Sequence, residues 1–156
     1  MAIAPNASRW MDEAYRLASE ALLHGEVPVA AVIVREDKVL AARHNESVRR
    51  RSALAHAELL ALGDALEASG DGFLAGADVY VTLEPCAMCA GALVLARVRS
   101  VTFGAWDLKA GACGSLMNIV SDPRLNHELA VQGGVDEPRS GALLRRFFAE
   151  QRTRRA

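Results

Sequence analysis

The segment Tyr80–Leu93, "YVTLEPCAMCAGAL", carries Cys86 and Cys89 three residues apart, directly after Pro85. Residues at that spacing are neighbours on one helix face. Proline suits a helix start, where its missing N–H would have had no partner. The positive end of a helix favours anions, so both thiols ionise readily there. Three chemistries use such a pair. A redox dithiol fits a strand-then-helix setting. A structural zinc clip needs a fourth protein ligand, which Cys113 in "GACGS" could supply. A catalytic metal site needs a third ligand and an open position, and His56 could be that ligand. Two thiolates favour a soft or borderline ion, commonly zinc. Glu58 stands two positions after His56. In the first turn of a helix both side chains tilt toward its N-terminus. They can then reach one point beyond the helix end, where a carboxylate could take a proton from metal-activated water.

Elements must bring these residues together. Ser8–Gly25 places Trp10, Met11, Ala14, Leu17, Ala18, Ala21 and Leu22 at helical spacing, with Gly25 as a stop. "VPVAAVIVR", Val27–Arg35, is a β-branched run that reads as a strand buried on both faces. "EDK" turns the chain and "VLAARHN" returns it, a hairpin. A second helix is expected over Ala53–Ala68, then a strand at "VYVTL" and a third helix from Pro85 to about Ala96. "SVTFGA" reads as a strand. "WDLKAGACGSLMN" reads as a Gly-rich loop leading to a short helix, "ELAVQGGV" as a last strand and "SGALLRRFFAEQRTRR" as a closing amphipathic helix. Strands alternating with helices predict an α/β protein, a three-layer α/β/α sandwich with parallel pairs in its second half. Both cysteines and His56 then fall at the carboxyl edge of the sheet, where open α/β sheets collect ligands.

The bulk numbers set bounds. A chain of 156 residues predicts one domain over 1–156. Three cysteines, an odd count, speak against a disulfide framework and for a reducing, cytoplasmic setting. The sequence has no apolar run long enough to span a membrane, and its first 16 residues do not read as a signal peptide. The net charge is −1, with lysine only at Lys38 and Lys109. Arginines cluster at Arg49–Arg51, Arg145–Arg146 and Arg152, Arg154 and Arg155. Arginine's planar fork suits phosphate, although charge alone reads as a solvated surface.

The joint pattern His-x-Glu…Pro-Cys-x-x-Cys is far more specific than its parts. It matches the zinc deaminase signature, and from about Trp10 to Arg152 the chain resembles the bacterial tRNA-specific adenosine deaminases of the cytidine/deoxycytidylate deaminase superfamily. "EVPVAAVIV", "HNES", "LAHAE", "YVTLEPCAMCAGAL", "FGAWDLKAGACGSLMN", "LNHELAVQGGV" and "LLRRFF" follow in the family's order. Guanine deaminases share the zinc motif but usually lack the "KAGACGSLMN…NH" block. The chain departs from the family at Ala30, usually Gly, at Ala53-Leu54, usually Pro-Thr, and at Trp106, where a smaller or basic residue is common.

The resemblance implies a cytidine-deaminase-like fold with a central mixed five-stranded sheet. It implies one Zn2+ per subunit on His56, Cys86 and Cys89, and Glu58 as the catalytic proton shuttle. It implies substrate contacts from Asn45, Pro28, Asp107, Lys109 and Asn126. The implied reaction is hydrolytic deamination of the wobble adenosine of a tRNA anticodon stem-loop to inosine, by a homodimer with its pocket near the subunit interface. Two other readings stand beside it. A deaminase of free guanine, cytosine or a nucleoside would have a closed pocket, capped by the C-terminal helix or by Trp106. A non-catalytic zinc-stabilised binding module would hold its ion with four protein ligands. Phe147 and Phe148 read as packing rather than as base-stacking platforms.

Overall fold

The computed structural model describes residues 6–155. Residues 1–5, part of the N-terminal stretch read above, lie outside it, as does Ala156. Four helices and five strands follow in the order α1 (Ala7–Leu23), β1 (Ala30–Arg35), β2 (Lys38–His44), α2 (Ala57–Ser69), β3 (Asp78–Leu83), α3 (Ala87–Ala96), β4 (Ser100–Ala105), β5 (Ala130–Gln132) and α4 (Glu137–Arg155). The sheet order is β2-β1-β3-β4-β5. β1 pairs antiparallel with both neighbours, whereas β3, β4 and β5 are parallel. This is the expected mixed five-stranded sheet, and its layers follow from strand alternation. Ala31, Ile33, Val79 and Val81 pack with Ala57, Ala61 and Leu93 of α2 and α3. The intervening Val32, Val34 and Tyr80 pack with Trp10, Met11, Ala14 and Tyr15 of α1. β1, β3 and β4 are buried on both faces, hence their nearly unbroken apolar sequences.

Two expectations shift. α2 starts at Ala57 and not at Ala53, because residues 46–55 close a tight loop in which Glu46 and Ala55 pair through Glu46 N and Ala55 O. The short helix after "WDLKAGACGSLMN" does not form. Past Asn118, Ile119 N donates to Ala112 O, Arg124 N to the Asp122 carboxylate and Leu129 N to Val120 O. Those bonds replace a helical ladder.

Gly104 is where α1 and α4 meet the sheet. A Cβ there would lie 2.3 Å from Tyr15 Oη and 2.4 Å from Thr82 O. Tyr15 Oη donates toward Val135 O and Asp136 O, both at 2.9 Å, and Ser140 Oγ donates to Thr82 O at 2.6 Å. Neither neighbour can withdraw without losing a buried hydrogen bond. Gly104→Ala should therefore destabilise the protein by about 1–3 kcal/mol or more, read as a lower urea midpoint at unchanged slope.

Candidate metal centre and active site

His56 and Cys86 are the N-cap residues of α2 and α3, both with extended backbones, and neither caps its helix with its side chain. The two side chains turn to each other instead. His56 Nδ1 lies 3.6 Å from Cys86 Sγ and 3.6 Å from Cys89 Sγ. The three ligand atoms all lie within 4.8 Å of one another. A tetrahedral ion with bonds of about 2.3 Å to sulfur and about 2.05 Å to nitrogen separates those donors by about 3.6 Å. The residues present fit a metal ion of that kind, and two thiolates with an imidazole suit zinc. Cys113 is buried but is not part of this ligand cluster. Among the described residues the structural clip and the four-ligand binding module therefore lack a fourth donor.

Without an ion the cluster shares protons unevenly. Cys86 is pushed down to about 3 by accepting hydrogen bonds from Cys89 and His56. Cys89 is raised because it donates to Cys86 and is buried. The His56 imidazolium is favoured, above its ordinary value, by its hydrogen bond to Cys86. Glu58, in the first turn of α2, is buried, and burial raises its carboxyl above the usual range. A buried carboxyl held toward its protonated form is suited to pass a proton on.

The cluster opens into a cavity of about 220 Å³ lined by His56, Glu58 and Cys86 and, around them, by Asn45, Glu84 and Asp107. A roomier cavity of about 500 Å³ lies at the opposite end of the strands, near Trp10, Asp78 and Tyr80, with none of His56, Cys86 and Cys89 in its wall. Size does not locate the chemistry here; the donor cluster does. Asn45 Oδ1 accepts from Ser47 N at 2.9 Å and Ser47 Oγ at 2.7 Å. This fixes the amide's orientation and leaves Nδ2 as the donor available to a ligand.

Of the substrate residues expected from sequence, Asn45 and Asp107 line the cavity. Pro28 is buried between the wall residues Val27 and Val29, and Lys109 is exposed beside the wall residue Ala110. Asn126 is exposed and does not line the cavity. Trp106 turns from the cavity and meets Phe103 edge-on, centroids 4.8 Å apart, over Gly133. Phe147 is buried as expected, but Phe148 is half exposed. Two wall-building carboxylates escaped the reading of the sequence. Buried Glu26 accepts from Val48 N at 2.9 Å and Arg49 N at 2.8 Å, and buried Glu84 accepts from the 107–115 loop. The available signal was an acid abutting an apolar strand in "EVPVAAVIV" and "VTLEPC".

The MafB19-like deaminase profile matches residues 5–152. A tRNA-specific adenosine deaminase of Bacillus subtilis is 45% identical over 146 residues, 94% of this chain and 91% of that one. The chain belongs to this deaminase family. The tRNA-specific adenosine deaminase of Agrobacterium fabrum is 43% identical over 81% of this chain and 84% of its own. A structure from a study of A-to-I editing by tRNA:A34 deaminases at the wobble position superposes with a TM-score of 0.83, at 39% identity, covering 88% of this chain and 99% of that one. A guanine deaminase from Nitrosomonas europaea superposes at 0.78 with 25% identity, over 96% and 87% of the two chains.

Metal uptake should release protons, because thiolate and neutral imidazole are the binding forms. His56 and Cys89 both hold their protons more tightly than usual in the metal-free cluster. Affinity for Zn2+ should therefore fall as pH falls through the raised His56 value, with roughly one proton or more released per ion at neutral pH. Calorimetry in buffers of different ionisation enthalpy measures that number.

Proposed function

We propose that this protein is a zinc-dependent hydrolase that deaminates the wobble adenosine of a tRNA anticodon loop to inosine, as a cytoplasmic homodimer with one zinc per subunit. The observation that carries the reading is the joining of His56, Cys86 and Cys89 at two helix starts, with Glu58 buried in the same cavity. The relatives named above supply the adenosine and the tRNA. Neither Trp106 nor the end of α4 lines the cavity, so the cap that a free-base deaminase would use is absent among the described residues. No helix among them is long and apolar enough to cross a membrane.

His56, Cys86 and Cys89 would hold the zinc, which supplies Lewis-acid activation of water. Glu58 accepts the proton of that water and delivers it to N1 of the adenine, while the water oxygen adds to C6. Glu58 then takes the remaining proton of the C6 hydroxyl and passes it to the amino group. The C6–N bond breaks, ammonia leaves and the C6 carbonyl of inosine remains. Burial favours the protonated carboxyl of Glu58, so it holds the proton between the two transfers. Asn45 Nδ2 donates to an acceptor on the base or its ribose. Asp107 lines the other side of the entrance. A wobble adenosine is single-stranded and is unstacked at little cost into such a pocket.

The flanking phosphates need cations near the entrance. Arg154 Nη1 lies 3.8 Å from where a Gly25 Cβ would stand, and the next residue, Glu26, holds the amide of Arg49. The end of α4 and the 49–51 turn therefore share one edge, beside the wall residue Val27. Arg50 pairs with Glu46, and Arg49 lies 3.9 Å from it.

An anticodon stem-loop carrying a wobble adenosine should yield inosine with the zinc-loaded wild type. Glu58→Gln should lower that rate at least ~100-fold while metal analysis still finds about one zinc per chain. Deamination of free guanine or cytosine, with no inosine in any tRNA, would overturn the substrate. Wild-type turnover by the Glu58 variant would overturn the mechanism.

Replacing Arg152, Arg154 and Arg155 together with Ala should raise KM for the stem-loop more than it lowers kcat. Each phosphate deprived of its arginine should flatten the salt dependence of affinity by about 0.7 in the log–log slope.

A further inference from the structure

Glu84 follows the last residue of β3 and is 2% exposed. Its carboxylate faces donors only. Asp107 N at 3.0 Å and Ser115 Oγ donate to Oε1, and Cys113 N and Ser115 N, each at 3.0 Å, donate to Oε2. No cation pairs with it among the described residues. The carboxylate thus does for the 107–115 loop what a strand ladder does elsewhere: it collects amides that would otherwise be buried without partners. Two further ties draw the loop onto the segment after Glu84. Gly111 bridges to Cys86, and Ala112 N donates to Pro85 O at 2.8 Å. The loop crosses the carboxylate so closely that a Cβ on Gly111 would lie 2.3 Å from Glu84 Cδ and 2.5 Å from Asp107 O.

Glu84 and the loop it gathers both belong to the cavity wall, the loop through Asp107 and Ala110. His56, Cys86 and Cys89 are placed chiefly by the starts of α2 and α3, and the loop touches that cluster only at the Gly111 bridge to Cys86. We infer that Glu84 is a positioning residue that sets substrate affinity. By holding the amides of Asp107, Cys113 and Ser115, it keeps the 107–115 loop preformed as the entrance wall, so that substrate binding does not have to order it. Loosening this clamp raises KM and leaves the chemical step and the metal in place. The kinetic part rests on the deaminase reading above; the structural part does not.

Glu84→Gln puts an NH2 group among donors and keeps the shape. Ser115→Ala removes one donor, leaves Glu84 charged and is the milder variant should the first fail to fold. In Glu84→Gln the amides of Asp107, Cys113 and Ser115 should exchange at least ~10-fold faster. KM for the anticodon stem-loop should rise about 10-fold and kcat should change less than about threefold. Zinc content should be unchanged. Ser115→Ala should move KM the same way by about threefold. Loss of zinc together with kcat at constant KM would overturn the inference, because Glu84 would then support the α3 start. Unchanged KM in both variants would overturn it as well. If the wild type makes no inosine in a stem-loop but deaminates guanine, the substrate reading has failed. The same split of KM from kcat, measured with guanine, then decides this inference.

Discussion

Because β1 runs against both of its neighbours, β2, β3 and β4 all point the same way and end at one edge of the sheet. That constraint places every group in the site. The chain leaves β2 at Asn45, leaves β3 at Glu84 and leaves β4 at Trp106-Asp107, while the approach to β1 supplies Val27 and Val29. α2 and α3 each begin at that edge, so their positive ends converge on His56, Cys86 and Cys89. Four far-separated segments meet because strand direction leaves them nowhere else to go. Reversing one strand would send its contribution to the opposite end, where the cavity near Trp10 and Tyr80 holds no donor cluster.

Three of the four buried glutamates show how surroundings decide what a carboxylate does; the fourth, Glu46, pairs with Arg43 and Arg50. Glu26 and Glu84 accept from backbone amides, two and three respectively, and are acceptors held in place. Amide donors of this sort fix the carboxylate's geometry. Glu58 has no such amides from a second segment, and burial dominates, raising its carboxyl. Identical side chains at similar depth thus divide into two that build walls and one suited to move a proton.

The metal cluster was legible in the sequence because its geometry is local. Pro85 and the preceding apolar strand mark a helix start, and a spacing of three fixes Cys86 and Cys89 on one face. β1, β3 and β4 were legible from apolar runs that are buried on both faces, and β2 from the turn that joins it to β1. The start of α2 was not, since Ala53-Leu54-Ala55 are good helix formers, and it is the pairing of Glu46 with Ala55 that ends the loop. The short helix expected after the Gly-rich loop failed for a related reason. Its amides find partners outside a helical ladder, Ile119 N on Ala112 O and Leu129 N on Val120 O, and propensity counts only near neighbours. Glu26 and Glu84 escaped notice because their partners are backbone N–H groups, which every residue except proline carries and no sequence pattern advertises. Asn126 was expected at the substrate from resemblance alone, and no local pattern tied it to the cavity.

The same burial changes what the net charge of −1 means to a polyanion. Five of the 19 acidic side chains are buried, Glu26, Glu46, Glu58, Asp78 and Glu84, which leaves 14 near the surface against 18 Lys and Arg. Glu46 and Asp78 take arginines with them as partners. Glu26 and Glu84 do not, since neutral amides satisfy them, and Glu58 is shifted toward its uncharged form. No Lys or Arg is buried in return. The exposed arginines of the 49–51 turn and the end of α4 share one edge, so the surface there is locally richer in positive charge than the formal count suggests. Charges near the surface act within a Debye length, about 8 Å at physiological salt, so a local cluster counts for more than the total. Placement, not total charge, is what a nearly neutral chain has available for binding a polyanion, and the acids that build the catalytic edge supply it by being withdrawn from the surface.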